Sequence, residues 1–152
     1  PLLLKPQKKD DGQAAQSLGR SRGGFSTKIH VNVDALGNPL RFLLTAGQRH
    51  DITLAEGLID DYEFQRLIAD RSYDCGDFLA IIAEKGAEAV IPPRKSRKEQ
   101  RGYDKHLYKE RHLVECYIGK IKHYRRIYSR FDKLDKRFIG FLSFAGALVW
   151  LH

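Results

Sequence analysis

Apolar and polar residues alternate along Thr27-Lys28-Ile29-His30-Val31-Asn32-Val33, the period of a strand with one buried face. Turn formers follow at Asp34-Ala35-Leu36-Gly37-Asn38-Pro39, and Leu40 to Thr45 resumes an extended pattern. The three segments predict a β-hairpin. Thr53-x-x-Glu56 has the form of a capping box, with Asp51 as a rival N-cap, and predicts a helix to about Asp60. Arg66 to Ala69 predicts a short buried strand, and Phe78 to Glu84 a helix stopped at Gly86. Ala89-Val90-Ile91 predicts another strand, ended by Pro92-Pro93. Asp104 is placed to cap a long helix from about Lys105 to Arg126, with Val114, Ile118 and Ile121 as its buried stripe. A last helix is predicted from about Leu134 to Leu151.

A hairpin, then strands alternating with helices, then a helical end predicts an α/β domain with a mixed sheet. The 152 residues suit one domain with a moderate core, and no internal repeat or internal boundary is visible. The apolar-free basic stretch Arg94 to Arg101 is the expected flexible point. Residues 1–18 read as an irregular arm or a damaged junction, because no hydrophobic period follows Leu2-Leu3-Leu4. The chain starts at Pro1 and contains no methionine, so a fragment, a processed form or translation from within a larger gene is expected.

Charge narrows the partner class. Lys and Arg number 27 against 19 Asp and Glu, a net charge of +8, which calls for a polyanion, most simply nucleic acid. A membrane surface fits less well. No basic amphipathic segment presents a lipid-facing side, and no run reaches the ~18–20 apolar residues needed to span a bilayer. The apolar stretch Phe138 to Leu151 is shorter and reads as a core helix. Cys75 and Cys116 form no Cys-x-x-Cys pair, so reduced thiols and a cytoplasmic location are expected.

The candidate chemistry centres on Tyr108-x2-Arg111-x3-Glu115-x6-Lys122. Offsets of 3, 4 and 7 return to one face of a regular helix, within roughly 60° of arc. A carboxylate is thereby aligned with two cations and a phenol, a set suited to a phosphodiester beside a divalent metal. An exposed helix face carrying an Arg111–Glu115 i,i+4 pair satisfies the same spacing. Asp70, at the end of the Leu67-Ile68-Ala69 run, is a second candidate, with a strand-end cap or salt bridge as its plain alternative. His50-Asp51 reads as a cap beside a surface histidine, and Gly19 to Gly24 as a DNA-contacting or hairpin-entry loop rather than a nucleotide loop. His106, His112, His123, Cys75 and Cys116 show no zinc-ligand spacing. From Lys120 to Arg137, cations that include Lys122, Arg125 and Arg126 interleave with Tyr117, Tyr124, Tyr128 and Phe131. Such a segment attracts phosphates and offers rings to unpaired bases, or it packs its aromatics inward and solvates its lysines.

Seven segments in order carry a resemblance. They are Gly19-Arg20-Ser21-Arg22-Gly23-Gly24, Thr27-Lys28-Ile29-His30, Gly47-Gln48-Arg49-His50-Asp51, Ala69-Asp70-Arg71-Ser72-Tyr73-Asp74, Ile91-Pro92-Pro93-Arg94, Arg111-His112-Leu113-Val114-Glu115 and Arg130-Phe131-Asp132-Lys133. With them the chain resembles the DDE transposases of bacterial insertion sequences, in the group carrying the Tyr-x2-Arg-x3-Glu-x6-Lys signature, over about residues 12–151. The resemblance implies a ribonuclease-H-like α/β fold, a mixed sheet with flanking helices, here lacking its first strand. Residues 19–152 would be a partial catalytic domain. It implies metal-dependent DNA cleavage and strand transfer with two Mg2+ (or Mn2+) ions. Asp70 and Glu115 would be catalytic metal ligands, and Tyr108, Arg111, Lys122, Arg125 and Arg126 would hold DNA phosphates. Transposon ends and target DNA would be the partners, with a homodimer in the full-length family member. The family's first acid lies in an Asp-x-Thr-type segment that this sequence does not show. Asp10 and Asp11 sit beside Lys8 and Lys9 and read as a solvated loop. The expected chain is therefore a remnant without independent transposition; the alternative class is a non-catalytic basic DNA-binding protein.

Overall fold

The computed structural model describes residues 17, 19–21, 24–130, 132 and 134–151. Asp10, Asp11 and the rest of the 1–16 arm lie outside the described residues. Strands β1 (Gly19–Ser21), β2 (Gly24–Val33) and β3 (Pro39–Ala46) form an antiparallel sheet in that order. The predicted hairpin is its centre, with Thr27 opposite Ala46 and a register shift between Asn32 and Val33. Its turn closes because the Asp34 carboxylate accepts the Leu36 and Asn38 N–H groups at 2.8 Å each, and Gly37 takes a φ of +85°.

Period-two alternation sends the two faces of the hairpin to two different cores. Ile29, Val31, Val33, Phe42 and Leu44 pack on a cluster of Tyr117, Ile121, Ile127, Phe138, Leu142 and Ala145. Leu43, one residue out of phase, packs on Ala55, Leu58, Ile59, Phe78, Ile82 and Ile91. Ile82 has no exposed surface, and its side chain contributes about 1.5–3 kcal/mol by leaving water. Helix α5 (Asp135–Trp150) covers the hairpin as the expected core helix. The approach is close at Gly146, where an added Cβ would stand 3.1 Å from Pro39. No helix among the described residues is long and apolar enough to cross a membrane.

The second half is a β-α-β unit. Strand β4 (Arg66–Ile68) pairs in parallel with β5 (Glu88–Val90) through helix α2 (Gly76–Glu84), which ends at Gly86 with φ +71°. The α/β class holds, but the expected single mixed sheet is not formed among the described residues: there are two separate sheets, one antiparallel and one parallel.

Three local expectations are corrected. The Thr53–Glu56 capping box does not form: Thr53 donates its hydroxyl to the His50 carbonyl at 2.7 Å, and Asp51 is held by Lys28 at 2.9 Å instead. A 3-10 turn (Asp51–Leu54) then leads into the short helix α1 (Ala55–Ile59).

The long helix from Lys105 to Arg126 is also broken. Asp104 does cap, accepting the His106 and Leu107 N–H groups at 2.8 and 3.0 Å, but the first turn is a 3-10 helix (Leu107–Arg111). Helix α3 (His112–Ile121) follows, and after Lys122–Tyr124 comes the single turn α4 (Arg125–Tyr128). Ile121 and Ile127 explain the break. Six residues apart on a continuous helix, they would point to different faces, at about 100° per residue; after the turn both enter one core.

The stripe of α3 is shifted as well. Tyr117 and Ile121 are its buried residues, whereas Val114 and Ile118 are half-buried. Tyr117, its ring centre 6.0 Å from that of Phe42, is a core residue and not an outward ring for bases. Burial pushes its hydroxyl pKa up to about 12.

Candidate nucleic-acid interface

Strand β4 delivers Asp70 to the rim of a cleft. The carboxylate caps the 3-10 turn Arg71–Tyr73: its Oδ1 accepts the Ser72 N–H at 2.7 Å and the Ser72 hydroxyl. The plain reading of Asp70 as a strand-end cap therefore holds for one oxygen. Oδ2 has no hydrogen bond among the described residues and is left for another partner.

The cleft is lined by Asp70, Arg71, Ser72, Pro92, Tyr103, Tyr108 and Arg111. The 3-10 turn brings Tyr108 and Arg111 to one side, because residues three apart eclipse in that geometry. Tyr103 and Tyr108 meet edge to face with centroids 5.5 Å apart, and the Arg111 guanidinium lies 5.9 Å from the Tyr108 ring centre. Arg111 donates to Glu115 Oε1 at 2.5 Å. That hydrogen bond holds the guanidinium more firmly cationic than usual, against the desolvation that opposes it, and the charges of Glu115, Tyr108 and Asp70 add to the effect. Behind the cleft, burial pushes the Tyr73 hydroxyl pKa up to about 12, with the charges of Asp51 and Asp70 adding to it.

Sequence-predicted residues divide accordingly. Asp70, Tyr108 and Arg111 share the cleft. Glu115 does not line it and reaches it only through Arg111, its side chain 61% exposed. Lys122 is exposed at the C-terminal cap of α3, two turns beyond Glu115. Arg125 and Arg126 are exposed on α4. Arg126 is engaged internally, 3.1 Å from Asp132 and 4.2 Å over the Phe141 ring. The four signature residues therefore do not all line the cleft. Among the described residues no three His, Cys, Asp or Glu side chains are grouped to hold a metal ion.

One organising residue escaped the sequence reading. Asp74 is wholly buried and accepts the Arg94 N–H at 2.7 Å and the Arg97 guanidinium at 2.8 Å, with Arg101 at 3.8 Å. Burial pushes its carboxyl pKa up, but these donors outweigh burial and hold it below the ordinary value. The basic stretch is thus tied to Asp74 at Arg94 and Arg97. No local signal singled it out, since Asp70 and Asp77 flank it and the basic run begins only at Arg94.

The sequence profile of the family described as "Transposase DDE domain" matches residues 3–150. A Brucella ovis protein provisionally named a transposase for insertion sequence element IS6501 is 40% identical over 130 residues, covering 84% of this chain and 100% of the relative. A Burkholderia cepacia protein provisionally named a transposase for insertion sequence element IS402 is 30% identical over 142 residues, covering 86% of this chain and 64% of the relative. No solved structure matches the chain.

Proposed function

Because the chain belongs to the family of transposase DDE domains, we propose that its cleft holds a DNA phosphodiester during transposition of an insertion sequence. The observation that carries this reading is the convergence of Asp70, Tyr108 and Arg111 on one cleft. A guanidinium recognises phosphate oxygens through two parallel charge-assisted hydrogen bonds, and a phenol adds a third donor. Asp70 Oδ2 then faces the bound group. Lys122, Arg125 and Arg126 extend the contact along the backbone by electrostatic attraction, with transposon ends and target DNA as partners.

The family's chemistry depends on divalent metal, and Mg2+ or Mn2+ is our assignment, with Asp70 and Glu115 as two of its acids. The described residues do not complete that site. Asp70 shares one oxygen with Ser72, Glu115 is held by Arg111, and no third ligand joins them. Without a cation the two carboxylates would repel a phosphodiester, so binding it, orienting it and offsetting its charge fall to Arg111 and Tyr108. The second reading, a basic DNA-binding protein that keeps the fold without the reaction, is favoured by that incomplete acid set.

We read the architecture as a ribonuclease-H-like fold, with residues 19–152 as part of its catalytic domain. What supports this is that the chain supplies both an antiparallel hairpin and a parallel β4–β5 pair, the two kinds of pairing such a mixed sheet combines. The Tyr-x2-Arg-x3-Glu-x6-Lys group, a cytoplasmic location and a homodimer in the full-length form belong to the same reading.

Incubating the purified chain with DNA carrying the element's terminal repeats and Mg2+ or Mn2+ tests it. Retained DNA binding without strand cleavage is expected. Cleavage that disappears in Asp70→Asn would show that the acid set is complete and overturn the non-catalytic reading.

A further inference from the structure

Beside the cleft stands a second cationic element that the signature residues do not include. Residues 94–101 carry Arg94, Lys95, Arg97, Lys98 and Arg101 against the single acid Glu99. A run of like charges ordinarily repels itself into a mobile loop. This one is folded. The Arg97 N–H donates to the Arg94 carbonyl at 3.0 Å, closing a turn over Lys95 and Ser96. The Gln100 amide bridges the Arg94 and Arg97 carbonyls at 3.2 and 3.0 Å. Arg101 donates to the Ala89 and Ile91 carbonyls at 3.1 and 2.7 Å, fastening the far end of the loop to the end of β5.

The cations of this loop are sorted into two sets. Asp74 takes Arg97 and stands near Arg101, while the Arg94 guanidinium donates to the Ser72 carbonyl at 2.8 Å. Lys95 and Lys98 remain exposed, and neither has an ion pair or hydrogen bond among the described residues. The turn also adjoins the cleft. Pro92, two residues before Arg94, and Ser72, the partner of the Arg94 side chain, both line it.

We propose that the Arg94–Arg101 turn is a second DNA-backbone grip, in which Lys95 and Lys98 take phosphates flanking the one held in the cleft and Asp74 holds the turn in place. This rests on the DNA-binding reading above. Preorganisation is what distinguishes the turn from ordinary surface lysines: its backbone is ordered before DNA arrives, so less loop entropy is lost on binding. Ammonium groups on a fixed turn contact phosphates without reading bases, so the contribution is independent of sequence.

The test is the salt dependence of binding to a fluorescein-labelled duplex of mixed sequence, measured by anisotropy over a series of KCl concentrations. Each phosphate contact contributes about 0.9 to the slope of log K against log salt, so Lys95→Gln/Lys98→Gln is expected to lower it by about 1.8. Lys85→Gln, whose ammonium is held by the Asp60 carbonyl at 2.7 Å, should leave the slope as it is. Arg111→Gln reports on the cleft separately. If the wild-type chain binds, Arg111→Gln lowers the slope and the double variant does not, the second grip is overturned and the cleft stands. If the wild-type chain does not bind the duplex, both are overturned.

Discussion

Arg111 holds Glu115 at 2.5 Å across one helical turn, so the acid of the signature is engaged by the signature's own cation. The pair spans the junction between the 3-10 turn and α3. It presents the guanidinium to the cleft and leaves Glu115 outside it.

Glu115→Gln follows directly from that geometry. The pair is partly solvated, its side chains 34% and 61% exposed, so its loss should cost no more than about 0.5 kcal/mol of stability. Removing a negative charge beside a phosphate-binding guanidinium should leave DNA affinity unchanged or raise it. Urea denaturation and an anisotropy titration measure the two. A clear loss of affinity would mean that Glu115 has a direct part in holding DNA.

Asp74→Asn tests the lock on the basic turn. The carboxylate is fully buried while Arg97 and Arg101 are about a third exposed. Stability should fall by about 2–4 kcal/mol, below the full cost of breaking a wholly buried pair, because the guanidinium groups still reach solvent. The substitution raises the net positive charge by one, which alone would strengthen DNA binding. If the turn needs its anchor, affinity falls instead, measured well below the melting temperature. Tighter binding would contradict the anchoring role.

His30 makes stability depend on pH. Its Nε2 lies 2.8 Å from the Thr45 hydroxyl in a buried pair. Burial lowers the imidazole pKa below its usual 6.5, the nearby Asp51 charge opposes that, and Lys28 adds to the lowering. The folded state therefore binds the proton less readily than the unfolded chain. The contribution is fully present above about pH 6.5 and is lost as pH falls through the lowered folded value. Thermal melts from pH 7 to pH 5 should show declining stability in the wild type and a flatter profile in His30→Gln. Parallel profiles would place the titration elsewhere.

Much of the fold was legible because local period and burial agree. Ile29, Val31 and Val33 alternate in the sequence and pack on one core in the structure. The β4–α2–β5 order and the helix stop at Gly86 were readable for the same reason. The long helix was misread because its break is a tertiary effect: nothing local to Lys122-His123-Tyr124 forbids helix, and the turn exists to put Ile127 into the core with Ile121. The site was only partly legible because the 3-10 start at Leu107, which no local signal marks, sets Tyr108 and Arg111 apart from the α-helix that carries Glu115 and ends at Lys122. Tyr108 and Arg111 reach the cleft, while Glu115 and Lys122 lie outside its lining. Asp74 was hidden because a buried acid among arginines and an exposed one look alike in sequence.

The central claim is that the cleft of Asp70, Tyr108 and Arg111 holds a DNA phosphate, and the direct measurement is the DNA dissociation constant of Arg111→Gln beside the wild type at fixed salt. A charge-assisted hydrogen bond of about 1.5–3 kcal/mol predicts weakening of roughly tenfold or more, with stability lowered only by the small worth of the Arg111–Glu115 pair. Equal dissociation constants for the two proteins would place DNA away from the cleft and contradict the account.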